Sequence, residues 1–152
     1  MESLPLRAEK PAALRVLVVD DEALIRWSLA AILQDAGHAV IEAADAAETV
    51  KYLFEGPDPD VIFLDCRLPD SQDLTLLETI RRLVPKTPVI MMTADAHPEM
   101  IWGAERLGAC RVVCKPFDMG IVLSLVRQAR SSLTDRASCA APGFPRSSVI
   151  IH

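Results

Sequence analysis

Short apolar runs recur along this chain, and each one ends in a residue equipped for chemistry. Val16-Leu17-Val18-Val19 runs into Asp20-Asp21, Val61-Ile62-Phe63-Leu64 into Asp65, and Val89-Ile90-Met91-Met92 into Thr93; Lys115-Pro116 closes a fourth run. Near-continuous apolar stretches of this length suit strands that are buried on both faces. Helical patterns separate them. That alternation predicts a parallel sheet wrapped by helices, an α/β fold of five strands and five helices between residues 14 and 133.

The elements follow from periodicity and punctuation. Strands are predicted at 14–20, 38–43, 60–65, 87–93 and 110–115. The first helix, 22–36, carries Leu24, Ile25, Leu29, Ile32 and Leu33 as one stripe and stops at Gly37. Asp45, with Glu48 three residues on, opens a second helix in a capping-box arrangement. Gly56-Pro57-Asp58-Pro59 breaks it. A third helix, 73–84, carries Leu74, Leu77, Ile80 and Leu83; a fourth opens at His97-Pro98 and stops at Gly108. Asp118 caps the fifth, which runs to Leu133. Residues 1–12 are expected to be a disordered N-terminus, residues 13–133 the folded domain, and residues 134–152, rich in Ala, Pro, Ser and Arg, a flexible tail or linker stub.

A length of 152 residues supports one domain with a real core, and 51% hydrophobic with 24% charged residues is a globular balance. The net charge of -5 and the lack of a Lys/Arg block argue against direct nucleic-acid binding. No apolar stretch approaches the roughly 20 residues of a membrane span, and Met1 to Arg7 lacks a signal-peptide core. A cytoplasmic location is expected. Cys66, Cys110, Cys114 and Cys139 form no CxxC motif and have no histidine at ligand spacing, so they read as reduced thiols.

In open parallel sheets, ligands bind beyond the carboxyl ends of the strands, near the point where strand order reverses. Asp20, Asp21, Asp65, Thr93 and Lys115 would converge there. Two like charges 4 Å apart interact by about 4 kcal/mol at an effective dielectric near 20, so clustered carboxylates call for a cation. Mg²⁺ suits such oxygen ligands. Asp65 is then the candidate nucleophile, forming an acyl phosphate. Lys115 can pair with Asp65 at rest and with the phosphoryl group afterwards, while the Thr93 hydroxyl can follow the new phosphate oxygens and move its loop.

Asp20-Asp21-Glu22, Asp65 with Leu68-Pro69-Asp70, Thr93-Ala94 and Lys115-Pro116-Phe117 together resemble the receiver domain of bacterial two-component response regulators. Arg26-Trp27-Ser28-Leu29 and the stretch from Pro88 to Ala94 look most like the nitrogen-regulatory activator subfamily, whose members continue into ATPase and DNA-binding domains. The 152 residues are therefore read as a stand-alone receiver or a fragment. The resemblance implies a flavodoxin-like (βα)5 doubly wound sandwich. It also implies a phosphoacceptor at Asp65 and Mg²⁺ held by Asp20, Asp21, Asp65 and the backbone carbonyl of Arg67. Thr93, Ala94 and Lys115 would bind phosphate and switch, and the bond before Pro116 would be cis. The implied partners are a sensor histidine kinase and either a downstream protein or a second copy, read out on the fourth helix, fifth strand and fifth helix. Trp102 and Val112 are the candidate output contacts.

Three positions depart from the family pattern. Val112 replaces the usual Tyr or Phe three residues before the lysine, Asp73 replaces a glycine, and Cys114 stands beside Lys115. The Val112 substitution favours a second reading, a constitutive interaction module whose acceptor site is uncoupled from its surface. A phosphatase or phosphotransferase is a third, but Arg67 stands where an Asp-x-Asp enzyme carries its second acid, and no cap insertion is present; turnover as an enzyme is not expected. A further expectation pairs Arg67 with Asp95 across the mouth of the site.

Overall fold

The computed structural model describes residues 13–95, 97–134 and 149–150. The expected disordered N-terminus and most of the expected tail, Cys139 and His152 included, lie outside these residues.

Among the described residues, six strands form one parallel sheet: β1 (Arg15–Val19), β2 (Ala39–Ala43), β3 (Val61–Asp65), β4 (Val89–Thr93), β5 (Arg111–Cys114) and β6 (Val149–Ile150). Their spatial order is β2-β1-β3-β4-β5-β6. The helices are α1 (Ala23–Asp35), α2 (Ala46–Glu55), α3 (Thr75–Leu83), α4 (Pro98–Arg106) and α5 (Val122–Thr134). The five-strand, five-helix framework is the one the alternation predicts. The two-residue β6 is additional: it pairs Val149 with Val112 and Ile150 with Val113, on the outer edge of β5. Two residues are too few to show any periodicity, so nothing in the pattern announces it.

Strand alternation divides the core into two layers. Leu17, Val19, Ile62, Leu64, Val89, Met91 and Val112 face one cluster, closed by Leu53 of α2, Leu76, Leu77 and Ile80 of α3 and Ala104 of α4. Val16, Val18, Val61, Phe63, Ile90, Met92 and Val113 face the other, closed by Leu29 and Leu33 of α1 and Leu125, Val126 and Ala129 of α5. Every residue of β3 and β4 is buried, as central strands covered on both faces must be, whereas β2 at the sheet edge is partly open.

Helix ends follow the residues that punctuate them. Gly37 and Gly108 adopt φ of 96° and 98°, the left-handed turn that glycine takes without penalty, and both stop their helices as predicted. The Asp45 side chain accepts the Glu48 N–H at 2.8 Å, and Glu48 reaches back to the Ala44 N–H at 2.8 Å. Asp118 accepts the Gly120 N–H at 2.9 Å and opens a 3-10 turn, Met119–Ile121, that leads into α5.

Three expectations need correction. Leu24 is 73% exposed, because it stands a residue before Ile25 and so about 100° around the helix from the buried face. The third helix begins at Thr75, not at 73. Asp73 keeps a negative φ, and its carboxylate accepts the Thr75 N–H at 2.9 Å; it fits the turn as a capping side chain and introduces no left-handed strain. Val112 is fully buried and belongs to the core, so its side chain presents no surface to a partner in this structure.

Candidate phosphoacceptor site

The chain leaves β1 for β2 on one side and returns to β3 on the other, so β1 and β3 flank the point where strand order reverses. Their carboxyl ends carry Asp20, Asp21 and Asp65. One carboxylate oxygen from each lies within 4.8 Å of the other two. Asp20 is fully buried and Asp65 nearly so, while Asp21 is exposed. The donor set is three hard oxygens at the end of a sheet, which fits a small divalent cation such as Mg²⁺.

Lys115 reaches the same point from beyond β5. Its ammonium donates to Asp20 Oδ2 at 2.9 Å and to Glu22 Oε1 at 3.3 Å, and pairs with Asp65 Oδ2 at 3.2 Å. Burial pulls the lysine's pKa down, but the hydrogen bonds and charges of Asp20 and Asp65 outweigh it and hold the ammonium above its ordinary pKa. Burial dominates at Asp65 and pushes its carboxyl from 3.8 up to about 6; Asp20 adds to the rise, and Lys115 and the Arg67 N–H oppose it. The Arg67 amide donates to Asp65 Oδ1 at 3.3 Å, and the Lys115–Pro116 bond is cis.

A cleft of about 340 Å³ opens above these groups, lined by Asp21, Glu22, Asp65, Cys66, Arg67, Thr93, Ala94, Asp95 and Lys115. Buried Thr93 is held in its own loop: its hydroxyl donates to the Asp95 carbonyl and accepts the Asp95 N–H, both at 3.0 Å. The loop that follows Asp65 is braced as well. Leu68 and Ser71 exchange backbone hydrogen bonds at 2.8 and 3.2 Å, and the Asp70 carboxylate accepts the Ala46 and Ala47 N–H groups at the start of α2. Those two bonds hold Asp70 below the usual carboxylate range.

The structure thus gathers Asp21, Asp65, Arg67, Thr93, Ala94 and Lys115 around one cleft, with Asp20 buried against Lys115. It does not make the expected Arg67–Asp95 pair. The Thr93–Asp95 turn aims the Asp95 carboxylate along the chain, where His97 Nε2 meets it at 3.0 Å. Trp102, on α4, is 62% exposed. Sequence reasoning passes over two contacts: Glu22 on Lys115, and the Cys66 thiol donating to Thr93 Oγ1 at 3.7 Å. Both residues directly follow a site aspartate, which is the signal that points to them. Cys66 and Cys114 are free thiols.

The model of the response regulator receiver domain matches residues 16–127. The chain belongs to the response regulator receiver family. Among its relatives, the DNA-binding transcriptional regulator NtrC of Escherichia coli K12 is 37% identical over 116 residues, covering 76% of this chain but 24% of NtrC. The chain therefore spans about a quarter of that relative's length. The receiver domain of NtrX from Brucella abortus superposes with a TM-score of 0.70 at 34% identity, covering 77% of this chain and 98% of that one. A CheY-like receiver domain protein from Methanospirillum hungatei superposes with a TM-score of 0.77 at 27% identity, covering 82% of this chain and 99% of the other. The likeness to NtrC and NtrX makes this an NtrC-like receiver. No helix among the described residues is long and apolar enough to cross a membrane.

Proposed function

We propose that this receiver is a Mg²⁺-dependent phosphoacceptor switch driven by a sensor histidine kinase and acting in the cytoplasm. The observation that carries the reading is the meeting of three carboxylates within 4.8 Å, two of them paired to one ammonium, at the edge of an open cleft. A carboxylate oxygen of Asp65 attacks the phosphorus of a kinase phosphohistidine. The O–P bond forms as the N–P bond breaks, and the imidazole leaves with its electron pair. Asp20, Asp21, Asp65 and the Arg67 carbonyl would hold Mg²⁺, which supplies neutralisation of phosphoryl charge.

The remaining work belongs to this chain's own side chains. Lys115 exchanges its contact with Asp65 for a phosphoryl oxygen, and Asp20 and Glu22 keep its ammonium at the site. Thr93 leaves its Asp95 partners to donate to a second phosphoryl oxygen, drawing the loop before α4 inward. Phosphorylation thereby alters the surface of α4, β5 and α5, including Trp102, for a downstream protein or a second copy rather than for nucleic acid directly. The acyl phosphate is hydrolysed in place, and no external substrate is turned over.

Burial of the small Val112 in place of an aromatic favours one alternative, a constitutive interaction module with an uncoupled acceptor. Intact mass after incubation with Mg²⁺ and a small phosphodonor tests the chemistry. The expected result is a gain of one phosphoryl group in the wild type, lost in Asp65→Asn and without Mg²⁺. No gain in a folded wild-type protein with any donor would retire the switch and leave the interaction module.

A further inference from the structure

Arg26 belongs to the Arg-Trp-Ser-Leu stretch that marks the subfamily resemblance, yet phosphoryl transfer as described leaves it without a task. It lies in the first turn of α1, and its side chain is only 15% exposed. Its Nη1 donates to the backbone carbonyl of Asp20 at 2.7 Å, and its Nε donates to Glu42 Oε1 at 3.0 Å. Glu42 stands on β2, opposite Val18 of β1.

Asp20 is the most deeply buried member of the acidic cluster, and every polar group it has is engaged. Its N–H donates to the Ala43 carbonyl at 3.1 Å, its Oδ1 accepts the Glu22 N–H at 2.9 Å, and its Oδ2 accepts Lys115 at 2.9 Å. Its carbonyl lies just past the last rung of β1 and takes Arg26. A side chain can hold its direction only as well as its backbone does. The planar guanidinium donates from two separate nitrogens, Nη1 to Asp20 and Nε to Glu42, whereas an ammonium has one nitrogen at the end of a flexible stem. A bare guanidinium beside a cation site would also repel the cation. Glu42 on Nε cancels that charge, so the anchor is delivered without the repulsion.

We propose that Arg26 is a positioning residue for the cation site, fixing Asp20 through its backbone carbonyl, with Glu42 as its neutralising partner. This rests on the reading of Asp20, Asp21 and Asp65 as cation ligands. Partners that orient metal ligands typically carry about 10- to 100-fold in metal affinity.

The test uses the full chain and reads Mg²⁺ affinity from the rise in thermal unfolding midpoint as Mg²⁺ is added, with no reference to activity. Arg26→Met is expected to weaken Mg²⁺ about tenfold or more, with little dependence on salt. Glu42→Gln keeps the anchor but unmasks its charge, so it should weaken Mg²⁺ less, and added salt should erase its effect. Arg26→Lys, which keeps the charge but replaces the two donating nitrogens by one, should fall between wild type and Arg26→Met; it serves as the test if Arg26→Met does not fold. At saturating Mg²⁺, phosphorylation of Asp65 in the Arg26 variants should return to the wild-type rate.

Wild-type Mg²⁺ affinity in the folded Arg26 variants would overturn the proposal while leaving the cation site standing. A wild type that is not stabilised by Mg²⁺, or is stabilised equally after Asp20→Asn, would instead retire the cation site itself.

Discussion

Asp65 shows how burial and pairing compete at a single side chain. It lies 3.2 Å from an ammonium, yet burial still lifts its carboxyl to about 6 from 3.8. The folded protein therefore keeps a proton on Asp65 at pH values where the unfolded chain has lost it. Stability conferred by that proton is fully present below the unfolded value and is lost as pH rises through the folded one. Asp65→Asn removes the titration and leaves Lys115 with Asp20 and Glu22. In metal-free buffer above about pH 7, Asp65→Asn should be the more stable protein, by on the order of 3 kcal/mol. Near pH 4 the difference should vanish. Urea unfolding of both proteins across that range checks it; a difference that does not change with pH would contradict the burial argument.

The elements owe their ends to local chemistry and their positions to packing. At the start of α2, Asp45 takes the Glu48 N–H, Glu48 takes the Ala44 N–H, and Asp70 takes the Ala46 and Ala47 N–H groups. The first two bonds are local and were readable as a capping box. The two bonds to Asp70 come from the loop after β3, and through them the backbone around Arg67 is tied to α2. Asp45→Ala should destabilise the protein by about 1 kcal/mol, seen as a lower urea midpoint with unchanged slope. Its Mg²⁺ response should be intact, since the Asp70 bonds remain.

Over the whole molecule, the proposed switch must carry a change at the β3–β4 end of the sheet to α4, β5 and α5. Thr93 is the only proposed mover that lies on the path to α4, and Trp102 is an exposed reporter on that helix. In a Trp27→Phe background, phosphodonor and Mg²⁺ should shift Trp102 fluorescence or the sedimentation of the protein. Thr93→Ala should still gain the phosphoryl group by mass but lose that shift. A shift that survives in Thr93→Ala would mean that another element carries the change, and no shift in either protein would favour the uncoupled module. Val112, buried against α4 and paired with Val149 of β6, makes β5 a filled position where a swinging aromatic is absent.

Apolar runs closed by Asp20-Asp21, Asp65, Thr93 and Lys115 made the parallel sheet and its chemical edge legible, because strand burial and strand-end placement are both local consequences of composition. Gly37, Gly108 and the Asp45–Glu48 pair likewise announced helix ends through backbone conformations and bonds spanning a few residues. What stayed hidden depends on groups distant in the chain. Asp73 fits its turn because its carboxylate finds the Thr75 amide, Asp95 chooses His97 over Arg67, and Val112 turns inward to the core. Arg26 meets Asp20 and Glu42, and Val149 and Ile150 meet β5, only once helix and strands have packed. Periodicity reports which face of an element is apolar; side-chain partners across elements are selected by three-dimensional packing, and that selection leaves no period to read.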